Sequence, residues 1–265
     1  DAYGHVSVRH PQDPERFFLA RSLSPDLVRH EDIMEFRLDG TPASDDRRQP
    51  YLERFIHGAI LEARPDVQAV VHAHAEDVLP FGITGAPLRP VIHSGAFIGA
   101  EVPVWDIADR FGDATNLLVT NMAQARDLAG CLGARNVALM RGHRFAAAAR
   151  SLIDVVRMSV YLPRNARVLL KALPLGEVKP LSAGQMSGDI KWLVQVQMDS
   201  IQGASPSEAA TGGNAQASGA IQRGRLTLTK PDGSVSTFGR DDPALKPVSF
   251  RITDTKVYRE IAQLD

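Results

Sequence analysis

The hydrophobic positions change period several times, and each change predicts an element. Val6 and Val8 alternate with Ser7 and Arg9 after a turn at Gly4, the two-residue period of a half-buried strand. Residues 17–20 and 32–38 read as two more strands. Ser24-Pro25-Asp26 is a turn between them, and Asp39-Gly40 is a hairpin signal. From Pro50 the period lengthens. Leu52, Phe55, Ile56, Ala59, Ile60 and Ala63 fall at i, i+3, i+4, i+7 spacing, a helix that ends at Pro65 because the residue before a proline avoids the helical region. Residues 67–74 then form a buried strand.

Residues 76–79 begin a further helix, and 89–93, 102–105 and 116–120 read as short strands. Asn121 caps a helix that stops at Leu132-Gly133. Residues 136–140 and 145–149 are partner strands, joined through Arg141-Gly142-His143. Ser151 caps a helix through Tyr161 that Pro163 kinks or restarts and that continues to Leu173. Residues 190–196 form a short amphipathic piece. Residues 203–220 are almost wholly Gly, Ala, Ser, Thr, Asn and Gln, too polar to offset their ordering entropy, and read as a linker. A hairpin around Pro231-Asp232-Gly233, a strand at 248–252 and a short helix complete the chain. The expected organisation is an α/β domain over residues 1–200, a flexible linker over 201–222 and a small β-rich tail over 223–265.

Composition narrows the class. The chain has 265 residues, 44% hydrophobic and 23% charged, with a formal net charge of -1. Its densest basic groups, Arg47-Arg48 and Arg141 with Arg144, are too small for a nucleic-acid footprint. Cys131 stands alone, which fits a reducing, cytoplasmic setting. No apolar run reaches membrane-spanning length and no signal peptide is present. The chain starts at Asp1 rather than Met, directly in a strand, so a preceding segment is expected to be missing.

The candidate chemistry lies at the end of the strand over 67–74. His72 and His74 are two residues apart, so they share a face. The pair alone leaves two readings open, a metal site or one core and one exposed histidine. Glu53 and His57 upstream and Gly142-His143 downstream shift the balance. Three imidazoles, His72, His74 and His143, leave positions open for substrate, the catalytic pattern; a structural site wants four ligands and is thiolate-rich. Glu53 can reach such a site, although alone it reads as a solvated helix-face carboxylate. Ser7 and Arg9 can hold an anion or form a solvated strand face. Arg9, Arg21 and Arg89 have the charge and fork geometry to orient a substrate carboxylate, against the plainer reading of surface arginines. His93, beside Gly95, can enter the site. His57 reads as a partner of a ligand or a core-edge residue, and Tyr51, Trp105 and Phe145 as pocket walls or core.

Taken together, Gly4-His5-Val6-Ser7-Val8-Arg9, Glu53-x-x-x-His57, Arg64-Pro65-Asp66-Val67 running into His72-Ala73-His74, and Arg141-Gly142-His143 resemble the class II aldolase/adducin family, over roughly residues 1–180. The resemblance implies a three-layer α/β/α domain around a mainly antiparallel sheet, assembled as a homo-tetramer. It implies that His72, His74 and His143 bind a divalent metal, zinc first, with manganese, iron or cobalt as alternatives. It assigns Glu53 as catalytic acid/base, and His5 and Arg141 join Ser7, Arg9, Arg21, Arg89 and His93 as candidates for substrate contact.

The sequence also departs from the family. Sugar-phosphate aldolases carry Asn where His5 stands, and phosphate-binding Ser or Thr where Gln49-Pro50-Tyr51-Leu52 stands. The chain is most similar to the branch of decarboxylases of hydroxylated aromatic or muconic semialdehyde carboxylates. The implied function is a metal-dependent carbon–carbon lyase that removes CO₂ from a small carboxylate through a stabilised enolate. The alternatives are an aldolase, a non-haem iron oxygenase of the same family, and a non-catalytic adducin-like assembly module. Arg144 stands where the family commonly has Gly, and is expected to crowd the third histidine; Ala148-Ala149-Arg150 also lacks a usual Gly.

Overall fold

The computed structural model describes residues 3–187 together with 224–229, 235–240 and 248–251. The chain separates into two compact units, Asp1–Gly188 and Asp189–Asp265.

The first unit is built on one seven-stranded sheet. Its strands are β1 (His5–Arg9), β2 (Arg16–Ala20), β3 (Ile33–Arg37), β4 (Ala69–Ala73), β5 (Val104–Trp105), β6 (Val137–Met140) and β7 (Arg144–Ala149), in the order β3-β2-β1-β4-β7-β6-β5. Every neighbouring pair is antiparallel except β5 with β6. Helices α1 (Arg54–Ala63) and α4 (Met122–Leu132) cover one face, burying Ile56, Ile60, Leu128 and Leu132 against Phe17, Leu19, Val70 and Ala146. Helix α5 (Leu152–Ala172) and the short α2 (Leu79–Ile83) cover the other, with Val155, Leu162, Leu169 and Phe81 against Val71, Leu139 and Phe145. This is the expected three-layer α/β/α arrangement. Strand β7 is central, and four of its six residues are alanine. Alanine is a poor strand former, so packing rather than propensity places it here; its small side chains let both helical layers approach the sheet. Two further short helices are α3 (Ala108–Phe111) and α6 (Ala183–Ser187).

Several expectations change. The polar side of β1 faces inward: Ser7 and Arg9 are buried, and Val6 is 39% exposed. This inversion is tolerated because each inward polar group finds a partner. Helix α1 starts at Arg54 rather than Pro50, since Pro50 is bridged to Arg21, and Glu53 occupies the N-cap position. Residues 89–93 are irregular, leading into a 3₁₀ segment His93–Ile98, and 116–120 carry no strand. Pro163 does not interrupt α5. A mid-helix proline costs about 3 kcal/mol; Leu162 and Leu169, both buried, contribute roughly 1.5–3 kcal/mol each. Tertiary burial therefore outweighs the lost backbone bond.

In the second unit β8 (Gly224–Thr229) pairs antiparallel with β9 (Val235–Arg240), as the hairpin pattern predicts. Strand β10 (Val248–Arg251) pairs parallel to β8. The expected linker, the amphipathic piece at 190–196, the Pro231-Asp232-Gly233 turn and the final short helix lie outside the described residues. No helix among the described residues is long and apolar enough to cross a membrane.

Candidate metal centre

Strand β4 brings His72 into the sheet opposite His5 on β1 and Ala146 on β7. His74 follows just past the strand end. His143 enters from the turn between β6 and β7, where Gly142 adopts φ 69. Glu53 arrives from the start of α1. The sheet thus collects residues distant in sequence at one edge of its α1/α4 face.

Three histidine nitrogens and one carboxylate converge. His72 Nε2 lies 2.9 Å from His74 Nε2, which lies 3.3 Å from His143 Nε2. Glu53 Oε2 is 3.5 Å from His72 Nε2 and 3.4 Å from His143 Nε2. One ligand atom from each of the four residues lies within 4.8 Å of the others. His72 Nδ1 donates to the Phe145 carbonyl at 3.0 Å. A carbonyl only accepts, so Nδ1 holds the proton, and neutral His72 presents its Nε2 lone pair to the cluster. Hydrogen bonds within such a cluster serve one pair of nitrogens at a time, whereas a single cation satisfies all three. The donor set suits a divalent metal: neutral imidazoles with a carboxylate beside them.

The electrostatics agree. Burial, then neighbouring histidines, hold His72 and His5 well below the ordinary imidazole value. Burial also lowers His74, and brings His143 down to about 4. The three clustered imidazoles are therefore neutral at physiological pH. Glu53 is 7% exposed, and burial raises its carboxyl to about 7, opposed by a hydrogen bond from the Val119 amide to Oε1 at 3.0 Å. A carboxyl poised there can hold or release a proton near neutrality. The Leu117 carbonyl favours the protonated form of His143 without completing an aligned bond to its buried Nδ1.

Behind the cluster, His57 Nε2 is 2.6 Å from His5 Nδ1, and His57 Nδ1 is 2.7 Å from Ser7 Oγ. His5 packs between His72, at a ring-centroid distance of 5.3 Å, and Tyr51, at 4.4 Å. His5 therefore adjoins the cluster, and Ser7 supports it from within the core.

The arginines distribute differently. Arg9 gives Nε to the Val67 carbonyl and Nη2 to those of Leu61 and Arg64, closing the end of α1. Arg21 pairs with Asp32 at 2.6 Å, and Arg141 pairs with Asp106. Arg89 and His93 are exposed on the connection between α2 and β5, with no hydrogen bond, ion pair or ring contact to the cluster. Trp105 Nε1 is bound to Asp127 at 2.8 Å, and Phe145 is fully buried in the α5 layer.

Arg144 does not displace His143. Its backbone adopts φ 116, a conformation natural to glycine, so the strain sits in the main chain while His143 stays with the cluster. Segment 116–120 was missed as a site element. Leu117, at φ 65, packs near Gly142, and Val119 holds Glu53. An apolar run carries no sign that its backbone will serve a carboxylate.

The family described as Class II Aldolase and Adducin N-terminal domain matches residues 1–170. The chain is 38% identical over 200 residues to decarboxylase tropJ of Talaromyces stipitatus, covering 71% of this chain and 75% of that protein. It is 29% identical over 189 residues to a 3,4-dihydroxyphthalate decarboxylase of Arthrobacter keyseri, covering 65% and 71% respectively. Among solved structures, an L-fuculose 1-phosphate aldolase superposes with a TM-score of 0.59 at 20% identity, over 70% of this chain and 82% of that one. Fold, histidine cluster and sequence match converge: the chain belongs to the class II aldolase and adducin family.

Proposed function

We propose that this protein is a metal-dependent carbon–carbon lyase that decarboxylates a hydroxylated aromatic carboxylate. That it is an enzyme of the lyase kind follows from its family and its decarboxylase relatives. The observation that carries the finer reading is the convergence of His72, His74 and His143 with Glu53 Oε2 facing them. His72, His74 and His143 would hold a divalent ion, zinc first, and its chemistry when bound would be Lewis-acid stabilisation of the negative charge that departing CO₂ leaves on the substrate. The carbon–carbon bond breaks, its electron pair stays on the ring carbon, and the proton held by Glu53 passes to that carbon. The Val119 amide fixes Oε1 and so leaves Oε2 toward the cluster. The aromatic pair His5 and Tyr51 beside His72 favours a planar ring over a sugar phosphate, and residues 49–52 offer no hydroxyl of the Ser/Thr kind to a phosphate. The same reading assigns a homo-tetramer and, from the lone cysteine, a cytoplasmic location.

The test is CO₂ release from a dihydroxyphthalate by protein loaded with zinc, alongside element-resolved metal analysis. The expected result is turnover with stoichiometric metal, both lost in a His72→Ala, His74→Ala double variant. CO₂ release that survives this double replacement sinks the proposal. Oxygen consumption with bound iron would move it to the oxygenase reading.

A further inference from the structure

We propose that Arg144 binds a second carboxylate of the substrate, one retained in the product, and so selects dicarboxylates; this rests on the decarboxylase reading. Arg144 directly follows the ligand His143 and opens β7, the strand that runs beside β4. It holds φ 116, which any side chain bearing a Cβ disfavours. Among the described residues its side chain forms no hydrogen bond or ion pair, and its Nε is buried without a partner. The other arginines expected at the site are committed or remote: Arg9 to carbonyls, Arg21 to Asp32, Arg141 to Asp106, and Arg89 exposed without contact to the cluster.

A buried, unpaired guanidinium nitrogen on a strained backbone contributes nothing visible to the fold. Such features gather where a ligand completes them. The ligand is an anion with two oxygens, since a guanidinium fork matches a carboxylate. It is not the departing carboxylate. A cation gripping that group holds charge where the reaction must move charge away, which stabilises the ground state against the transition state. A retained carboxylate keeps its charge throughout, so Arg144 can hold it from substrate to product.

The test is calorimetric binding of 3,4-dihydroxybenzoate, catechol and benzoate to zinc-loaded wild type, Arg144→Gly and Arg144→Lys, with melting of each metal-free protein. Wild type is expected to prefer the acid by about tenfold or more, the scale of one charge-assisted contact. Arg144→Gly should lose that preference, keep its catechol affinity and zinc content, and melt higher as the strain is released. Arg144→Lys should keep part of the preference, retaining charge without the fork. An unchanged preference in Arg144→Gly overturns the proposal. Equal loss of catechol, acid and zinc binding overturns it too, because the role would then be structural. If wild type binds benzoate through Arg144 and ignores catechol, the hydroxyaromatic reading fails while the role of Arg144 stands.

Discussion

The Val119 amide donates to Glu53 Oε1 at 3.0 Å, and this bond decides which carboxylate oxygen faces the histidines. The other oxygen, Oε2, is left 3.4 Å from His143 and 3.5 Å from His72. In the proposed reaction the proton would leave from Oε2, so the role proposed for Glu53 rests on this division of labour. A Glu53→Gln variant keeps an acceptor for Val119 and the side-chain volume but has no proton to give. Turnover is expected to fall by about 10²–10⁴, the usual worth of a positioned acid. Metal content should hold, measured on the same preparation.

Metal binding should appear as stability. A ligand that binds only the folded state at a hundred times its Kd contributes about 2.7 kcal/mol. Wild type is expected to melt higher with zinc than after chelation. His143→Ala should show little of this response, since one of the three convergent nitrogens is gone. An equal zinc shift in both proteins, read by calorimetry, would place the ion elsewhere.

Acid should destabilise the metal-free protein early. His57 is held at about 3 and His143 at about 4, against an ordinary 6.5, and His5 and His72 also lie well below it. Between 6.5 and about 4 the unfolded chain carries these protons and the folded chain does not. Stability therefore falls as pH falls through that window, because the unfolded state binds more protons there. Glu53, raised to about 7, works oppositely between 4.5 and 7 and offsets one histidine. Urea midpoints on either side of pH 6.5 check the sign; a midpoint flat down to pH 5 would contradict it.

Gly58 lies inside α1, where alanine is ordinarily better by about 1 kcal/mol. Here an added Cβ would sit 2.1 Å from the Leu38 carbonyl oxygen. The clash is with backbone and outweighs the propensity gain, so Gly58→Ala is expected to destabilise by roughly 1–3 kcal/mol. Because Glu53 stands at the start of the same helix, turnover should fall as well. Chemical unfolding and CO₂ release measure the two effects separately.

The sequence by itself determined what local pattern can carry. The 3.6-residue stripe of α1, the caps of α4 and α5 and the buried runs of β4 and β6 recur where periodicity and capping chemistry place them. The family likeness rests on Gly4–Arg9, Glu53-x-x-x-His57, Arg64–Val67 running into His72-Ala73-His74, and Arg141-Gly142-His143 taken together, because each is a short-range pattern that the chain itself spells out. Tertiary structure alone decided the rest. It turned the polar side of β1 inward, since His57 and the carbonyls of α1 exist for Ser7 and Arg9 only once the helix lies on the sheet. It held Pro163 inside a helix, because burial against β7 and β4 outweighs a missing bond. It also assigned the Val119 amide to Glu53 and left the Arg144 Nε beside His143 without a partner among the described residues. Partners that are 66 residues apart, like Glu53 and Val119, leave no periodic trace along the chain, because only the closed fold brings them within bonding range.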